Sequence, residues 1–474
     1  MNFFLYYISD LHSRYEKLAQ IRQLLTKYRN SSSLFFDIGD NADFMRVETI
    51  GTKGEISTTL MDLLQCDARV IGNNEGFPGL EYTKNMIRLS KTPFITCNLS
   101  KIDGSELEGL QTSIILNKNN ARFLVIGVTA PYNNFYELFG LHSSDPKQAI
   151  ISEIRKYSKN EYDFVLLLSH LGLETDKMIA LEISELDVIL GGHTHTTLAE
   201  PIKENGCIIA QAGCYGEYLG ILNVDLNLKE KTISGYKGNL IEVKNTPLDE
   251  EVGAIIETFT TIAHKNLSQP LFNNEFELEY SLTDENTITN LLADTLKHTF
   301  PCDFGLINSG VLNGGICIGN VSKLDFHEIC PSPLNPTLIR IKGKYLRTAI
   351  ENSLLEEFQL HQTSGDGFRG KYIGNLQVSD NVKIKFTKIK DTNHRISEFF
   401  INGTSLKDNS VYTITTSDHL QRGHAYLNLA KCELVKYHPD FLKDQLEIYA
   451  TSIENRKKAR KRRYSFTSEQ NNQG

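Results

Sequence analysis

Blocks of apolar and polar residues alternate through the first half of the chain. The short apolar runs are "FFLYYISD", "SLFFDIGD", "DARVIGNNEG", "RFLVIGVT", "DFVLLLSHLG" and "LDVILGGHTH", and "RYEKLAQIRQLLTKYR" has the apolar period of an amphipathic helix. Short apolar runs bounded by turn residues predict buried strands. Strands that alternate with helical segments predict an α/β sheet.

The pattern changes near residues 240–275, where "NTPLDEEVGAIIETFTTIAHKNLSQP" predicts a helix with a polar start. A chain of 474 residues is too long for one ordinary core, so we expect two domains. The predicted organisation is an N-terminal domain over 1–245, a helical connector over 246–275, a C-terminal domain over 276–455 and a basic, polar tail over 456–474. Most such basic runs are solvated helix ends or disordered tails, and fewer contact nucleic acid.

Composition limits the possible partners. The formal net charge of −8 argues against a general nucleic-acid binder, although a local site can still be positive. No apolar stretch approaches the roughly 20 residues of a membrane helix, and the N-terminus lacks signal-peptide features. The 8 cysteines are scattered without a C-x-x-C pair, which favours reduced thiols. We expect a cytoplasmic protein without a membrane partner, and its oligomeric state stays open.

Residues able to bind a metal follow five separate apolar runs. They are Asp10, His12, Asp40, Asn73, His170, His193 and His195. Each alone is ordinary, since Asp often caps a helix and Gly-Asp is a common turn. In open α/β sheets, however, ligands bind at the carboxyl ends of strands. Oxygen and imidazole donors without thiolate suit Mn, Fe, Zn, Co or Ni, so the pattern predicts a metal centre.

The motifs "DLH", "GDNAD", "GNNE", "SHLG" and "GGHTH" resemble the calcineurin-like metallophosphoesterase superfamily, and the chain as a whole resembles its 5'-nucleotidase and UDP-sugar hydrolase family. The resemblance implies an α/β (α+β) fold: an N-terminal four-layer β-sandwich flanked by helices, and a smaller C-terminal 5'-nucleotidase-type α/β domain that binds substrate. It implies hydrolysis of a nucleotide or related phosphate ester by metal-bound hydroxide that attacks phosphorus. The alternative is a nucleotide-binding module with little or no catalysis.

The resemblance also assigns ligands to two divalent metal ions, which could be Mn, Zn, Co, Fe or Ni. The first ion would be bound by Asp10, His12, Asp40 and His195. The second would be bound by Asp40, Asn73, His170 and His193, with Asp40 as the bridge between the two ions. Two divalent ions and two ligand carboxylates leave about two positive charges, which match a phosphate dianion.

Asn74 departs from the family pattern. The family has Gly-Asn-His-Glu, and its histidine forms a dyad with an aspartate; here Asn74 and Phe77 stand at these positions. Asparagine can donate a hydrogen bond but carries no charge. We therefore predict catalytic roles for Asp40 and Asn74 and an enzyme with altered leaving-group demands.

The substrate-binding motifs of the second half are looser. "LINSGVLNGG" matches the family at Asn308 and Gly310 but lacks its arginine, and "GHAYLN" places Tyr426 at one base-stacking position. Tyr372 in "GKYIGNLQVS" is out of register with the other stacking position, and Arg369 in "GDGFRGK" could contact phosphate or ribose. "GDGFRG" is also a literal G-x-G-x-x-G, but it lacks the strand and helix that a dinucleotide fingerprint requires.

Overall fold

The computed structural model describes residues 1–363, 367–390, 393–424 and 426–467. The chain forms two compact units, Met1–Asn266 and Leu267–Gly474. Residues 468–474 of the predicted tail lie outside the described part.

The strands of the first unit are β1 (Asn2–Ile8), β2 (Ser33–Asp37), β3 (Ala68–Arg69), β4 (Leu99–Lys101), β5 (Ser113–Lys118), β6 (Ala121–Thr129), β7 (Leu141–Ser143), β8 (Phe164–His170), β9 (Val188–Gly191), β10 (Ile202–Glu204), β11 (Cys207–Gln211), β12 (Tyr218–Asn227) and β13 (Thr232–Glu242). Its helices are α1 (Tyr15–Tyr28), α2 (Val47–Gly51), α3 (Glu55–Leu63), α4 (Asn73–Gly76), α5 (Leu80–Leu89), α6 (Asn133–Tyr136), α7 (Pro146–Arg155), α8 (Leu173–Glu182) and α9 (Glu250–Leu267).

Two sheets form the centre of the first unit, in the orders β13-β12-β1-β2-β3 and β10-β11-β9-β8-β6-β5. Alternate residues of β1 face opposite sides, as the two-residue period of a strand requires. Phe3 and Leu5 belong to the core shared with Phe123 of the other sheet, whereas Tyr6 and Ile8 pack in the cluster that includes α1. A separate cluster joins the second sheet to α7 and α8. The predicted helix–sheet–sheet–helix architecture is confirmed.

One predicted strand is shorter than its apolar run. Only Ala68–Arg69 form β3, although Val70 and Ile71 are buried. The backbone N–H of Ile71 donates to the hydroxyl of Thr96 at 3.2 Å. The pairing with β2 ends at Arg69, three residues before Gly72.

The strands of the second unit are β14 (Pro270–Asn274), β15 (Phe304–Asn308), β16 (Gly319–Ser322), β17 (Pro336–Lys342), β18 (Leu376–Val378), β19 (Val382–Lys390), β20 (Asn393–Ile401), β21 (Thr404–Ser405), β22 (Val411–Ser417), β23 (Glu433–Tyr437) and β24 (Tyr464–Thr467). Its helices are α10 (Thr287–Thr299), α11 (Lys323–Ile329), α12 (Gly343–Asn352), α13 (Glu356–Gln359), α14 (Asp418–Gln421), α15 (Leu442–Ala450) and α16 (Ile453–Ala459). A five-stranded sheet, β18-β15-β22-β17-β23, and a four-stranded sheet, β21-β20-β19-β24, share one core.

The basic segment after residue 456 is folded into this unit as far as residue 467. Arg456 and Arg463 are each 2% exposed, and the guanidinium of Arg463 lies 2.7 Å from Asp294 Oδ2. β24 pairs with β19 in parallel. The solvated or disordered tail that we expected is thus, over this range, a helix and an edge strand held by buried arginines.

In the described part of the chain, every helix is too short or too polar to cross a lipid bilayer.

Candidate metal centre

The proposed metal ligands of the first unit gather where its strands end. Asp10 follows β1, Asp40 follows β2, and His170 is the last residue of β8. Two clusters have ligand atoms within 4.8 Å of one another: Asp10 with His12 and His195, and Asp40 with His170 and His193. These are the two ligand groups that the sequence motifs implied, apart from the bridging role of Asp40 and the amide of Asn73.

Asp40 lies between the two clusters. Its Oδ1 is 3.3 Å from His170 Nε2 in one cluster, and its Oδ2 is 4.0 Å from His12 Nε2 in the other. The side chain is 3% exposed. A buried carboxylate that faces both groups with different oxygens has the geometry of a bridging ligand.

Asn73 and Asp10 complete the arrangement from two sides. Asn73 Oδ1 lies 3.2 Å from His170 Nε2, on the side of the second cluster. Asp10 is fully buried and accepts the backbone N–H of His193 at 3.0 Å. This hydrogen bond ties the loop after β9 to the loop after β1.

An unusual backbone conformation marks these loops. Positive φ angles occur at Asp10 (51°), His12 (48°), Asp40 (52°), His193 (76°) and His195 (56°). The left-handed region costs energy for residues with a Cβ, and such residues concentrate at functional sites. Asp, Asn and His adopt positive φ angles more readily than most residues. The residue types that can bind a metal are therefore also suited to the sharp turns of these loops.

Glycines at the centre allow the loops to approach each other. A Cβ on Gly72 would lie 2.3 Å from Asp40 Oδ1, and one on Gly192 would lie 2.9 Å from Asp10 Oδ2. Gly39 has a φ of +94°, and its Cβ would meet His170 Nδ1 at 2.9 Å. Any side chain at these three positions would displace a proposed ligand.

Buried carboxyl groups beside the ligands hold the loops. Glu75 is fully buried and accepts the N–H groups of Asp40, Ala42 and Gly72 at 3.0, 2.8 and 2.9 Å. Asp43 Oδ2 lies 3.5 Å from His12 Nδ1. Asp43 has no assigned role in the motif pattern, although its place in "GDNAD", three residues after Asp40, is a signal in the sequence.

Burial and mutual charge shift the ionisation of the cluster. Burial raises the pKa of Asp10 to about 6 and lowers that of His193 to about 4, with the charge of His170 adding to the effect on His193. Burial also acts to lower the pKa of His170, but Asp40 outweighs it and raises that pKa to about 10. Burial acts to raise the pKa of Asp40, but His170 and His12 hold it well below its usual range.

The donor set fits divalent transition-metal ions. Both clusters consist of carboxylates and imidazoles, and Asn73 adds a neutral amide oxygen. Such ligands suit Mn, Fe, Co, Ni or Zn at sites that keep positions open for substrate. Asp40 Oδ1 lies 3.3 Å from His170 Nε2, and Asp10 Oδ1 lies 3.5 Å from His195 Nε2. A cation at either place would therefore have an oxygen and a nitrogen ligand close to it.

Comparison with known proteins agrees with this geometry. Residues 5–197 match the family model described as calcineurin-like phosphoesterase, and residues 261–431 match the model described as 5'-nucleotidase, C-terminal domain. The chain is a calcineurin-like phosphoesterase with a 5'-nucleotidase C-terminal domain. A phosphoesterase of this family is a metal-dependent phosphoric ester hydrolase, so the predicted enzyme class is confirmed.

Relatives of this phosphoesterase match over most of their length. It is 29% identical to the "Uncharacterized metallophosphoesterase YunD" of Bacillus subtilis, over 93% of this chain and 97% of that one. It is 23% identical to the 5'-nucleotidase of Mus musculus, over 90% of this chain and 84% of that one. Its fold is similar to that of the NAD nucleotidase of Haemophilus influenzae, with a TM-score of 0.69, 14% identity and coverage of 99% of both chains.

Asn74 takes part in the centre of this phosphoesterase through Asp40. Its backbone N–H donates to Asp40 Oδ1 at 2.8 Å, and its amide donates to Asp40 Oδ2 at 2.7 Å. The amide also lies 3.2 Å from His12 Nδ1. Phe77, at the position of the family aspartate, packs among the rings of Tyr132, Phe135 and Tyr136. Asn73 and Asn74 are the first two residues of α4.

Two tyrosines at the centre have no assignment from the motifs. The Tyr132 hydroxyl lies 2.9 Å from His193 Nε2. The Tyr215 ring lies 5.4 Å from His12 and 5.5 Å from His195 between ring centres. Each follows a strand end, after β6 and β11, but neither belongs to a metal-ligand residue type, and the sequence pattern therefore did not reveal them.

Two of the substrate-binding candidates of the 5'-nucleotidase C-terminal domain, Asn308 and Tyr426, contact the backbone at residues 373 and 374. Asn308 is fully buried and donates to the carbonyl of Ile373 at 2.7 Å. The Tyr426 hydroxyl donates to the carbonyl of Gly374 at 2.9 Å. Tyr372 is half-buried, and Lys371 lies over its ring. Arg369 is exposed, and its backbone N–H donates to Ser332 Oγ.

Tyr426 is placed differently from the open ring that base stacking needs. The residue is 1% exposed, and its ring stacks on Phe358 with the ring centres 5.9 Å apart. A base could stack on Tyr426 only if the ring became uncovered. The substrate-binding roles of Asn308, Arg369, Tyr372 and Tyr426 stay predictions.

Proposed function

We propose that this phosphoesterase binds two divalent ions and hydrolyses a nucleotide or a related small phosphate ester. The observation that supports two ions is the position of Asp40, whose two carboxylate oxygens face His170 and His12 in separate clusters. When bound, such ions polarise a phosphoryl group and lower the pKa of water at the site. The names of relatives such as the mouse 5'-nucleotidase support a nucleotide as the substrate class.

The residues of the chain set the charge that a substrate meets. Asp10 and Asp40 are the carboxylates in the two clusters, and two divalent ions would leave an excess of about two positive charges. Asp43, 3.5 Å from His12, reduces this excess. A phosphate group of one or two negative charges therefore fits better than a polyanion.

Asn74 limits how the chain can assist the leaving group. Its amide is directed to Asp40 and His12, and an amide cannot deliver a proton at neutral pH. Loss of one transition-state donor typically costs about 10²–10³ in rate. We therefore expect esters with good leaving groups, such as aryl phosphates or pyrophosphate bonds, to be preferred over simple nucleoside monophosphates.

A substrate screen tests this function directly. Purified protein is stripped of metal, reloaded with Mn, Co or Zn, and assayed for phosphate release from nucleotides, UDP-sugars, dinucleotides and phosphodiesters. The matched control is Asp40→Asn, which should be inactive on every substrate. Release that needs no metal, or that Asp40→Asn retains, would contradict the proposal.

We also propose the cytoplasm as the compartment. All eight cysteines are free, and Cys66, Cys207 and Cys330 are buried thiols. Free thiols are typical of a reducing compartment. Cell fractionation should recover the protein in the cytoplasmic fraction. Thiol titration of that protein should find its cysteines reduced.

A further inference from the structure

Two imidazoles of the candidate metal centre, His170 and His12, have similar surroundings. His170 directs Nε2 to Asp40 Oδ1 at 3.3 Å, and its Nδ1 lies 2.8 Å from the carbonyl of Ile38. His12 directs Nε2 to His195 Nε2 at 3.0 Å, and its Nδ1 lies 3.5 Å from Asp43 Oδ2. In both rings, one nitrogen faces a ligand group and the other faces an oxygen of the chain, although His12 Nδ1 also lies 3.2 Å from the Asn74 amide.

His193 has a corresponding oxygen partner in Tyr132. The hydroxyl of Tyr132 lies 2.9 Å from His193 Nε2. An imidazole that binds a cation is neutral and keeps one N–H, and an oxygen at the second nitrogen decides which one. A tyrosine hydroxyl can accept that N–H, which leaves Nδ1 as the nitrogen with a lone pair.

We propose that Tyr132 is a positioning residue of the second ion site, which accepts His193 Nε2–H and thereby presents His193 Nδ1 to the ion. The inference rests on the proposed function, because it presupposes an ion bound by Asp40, Asn73, His170 and His193. It adds a residue outside the ligand motifs, and it states which nitrogen of His193 binds.

The surroundings of Tyr132 keep its hydroxyl in place. The carbonyl of Tyr132 accepts the N–H groups of Phe135 and Tyr136 at 2.9 Å each, at the start of α6. Its ring contacts Phe77 edge-on, with ring centres 5.8 Å apart at 71°. Phe77 stands where the family motif has the dyad aspartate, so at this position the chain has an apolar support for Tyr132 in place of a charge.

Tyr132→Phe tests this role because it removes the hydroxyl and keeps the ring. Tyr236→Phe is the matched control, since Tyr236 has the same 37% exposure and lies against Lys203. Manganese titration by calorimetry should show two binding events in the wild type and in the control. In Tyr132→Phe one event should weaken by about 10–100-fold, as for other partners of ligand histidines, while the other is unchanged.

The orientation of His193 can be read without metal. Histidine-selective ¹⁵N labelling reports the tautomer of each ring in the chelator-treated protein, and His193→Ala identifies the signal. The wild type and the control should show Nε2–H at His193, and Tyr132→Phe should show a mixture of tautomers. Thermal unfolding of all three proteins checks that they are equally folded.

The outcomes separate this inference from the proposed function. If the wild type binds none of manganese, cobalt and zinc, the two-ion function fails. If the wild type binds two ions and Tyr132→Phe binds both as tightly or more tightly, Tyr132 does not position His193. Nδ1–H at His193 in the wild type would overturn the assignment of the nitrogen.

Discussion

The candidate metal centre of the first unit and the buried ion pair of the second unit hold polar side chains in opposite ways. In the first unit, buried Asp40 lies 3.3 Å from buried His170, and buried Asp10 belongs to the other ligand group with His12 and His195. In the second unit, Asp294 pairs with Arg463 at 2.7 Å, and Asn308 donates to a backbone carbonyl. The ligand groups of the metal centre leave a charge that a bound cation would compensate. In the second unit, by contrast, Asp294 and Arg463 compensate each other's charge. This contrast separates a reactive centre from structural polar contacts.

The largest effect should come from the residue that joins the two clusters. Asp40→Asn removes the charge of the proposed bridge, so we expect activity to fall by at least about 10³-fold and both ions to be lost. Metal content by elemental analysis and kcat/KM measure the two effects. Asp103→Asn, at an exposed loop acid, is the control and should change neither. Two ions per chain in Asp40→Asn would refute the bridging role.

The second unit should respond in stability and not in chemistry. Arg463→Met leaves Asp294 buried without its cation, which typically costs about 3–5 kcal/mol. Arg462→Met is the matched control because the neighbouring side chain is exposed. Urea unfolding should give a lower free energy of unfolding for Arg463→Met than for the wild type, and an unchanged one for Arg462→Met. The metal content of both variants should be unchanged. Equal stability of the two variants would mean that the buried pair contributes nothing.

Much of the first unit could be predicted from sequence because its signals are local. Each ligand follows an apolar run, and the ligands come from the carboxyl ends of β1 and β2 in one sheet and of β8 and β9 in the other. Tyr132 could not be found in this way, since its role depends on a hydrogen bond to His193, 61 positions away. Arg463 was misinterpreted because a dense basic run gives no sign that one of its members meets Asp294, 169 positions earlier.

A pH effect on stability should come from a buried acid of the first unit whose hydrogen-bond partners are neutral. Asp176 is fully buried and accepts from Ser169 Oγ and Gln211 Nε2, and burial raises its pKa to about 7. The folded state then binds a proton that the unfolded state releases near pH 4. This contribution to stability is greatest below about pH 4 and is lost as the pH rises to about 7.

Asp176→Asn removes this dependence. The variant should gain stability relative to the wild type between pH 5 and pH 8, by up to about 1.4 kcal/mol for each pH unit below 7. Urea unfolding at both pH values measures the gain. Asp163→Asn is the control, because Arg122 holds the pKa of Asp163 at about 2, below the tested range. A constant difference between wild type and Asp176→Asn would contradict the raised pKa.

The smallest expected effect concerns Asn74, which stands where the family has its histidine. Asn74→His would place a group that can carry a charge beside Asp40, where the amide now donates at 2.7 Å. Such a donor can stabilise charge on a phosphoryl group or leaving group. The gain on a nucleoside monophosphate should be about tenfold and no more, because the dyad aspartate is still replaced by Phe77 and the two losses act together. An aryl phosphate, whose leaving group needs no proton, should change less. The measurement is the ratio of kcat/KM for the two substrates in wild type and variant, and an unchanged ratio would place Asn74 away from the reacting phosphate.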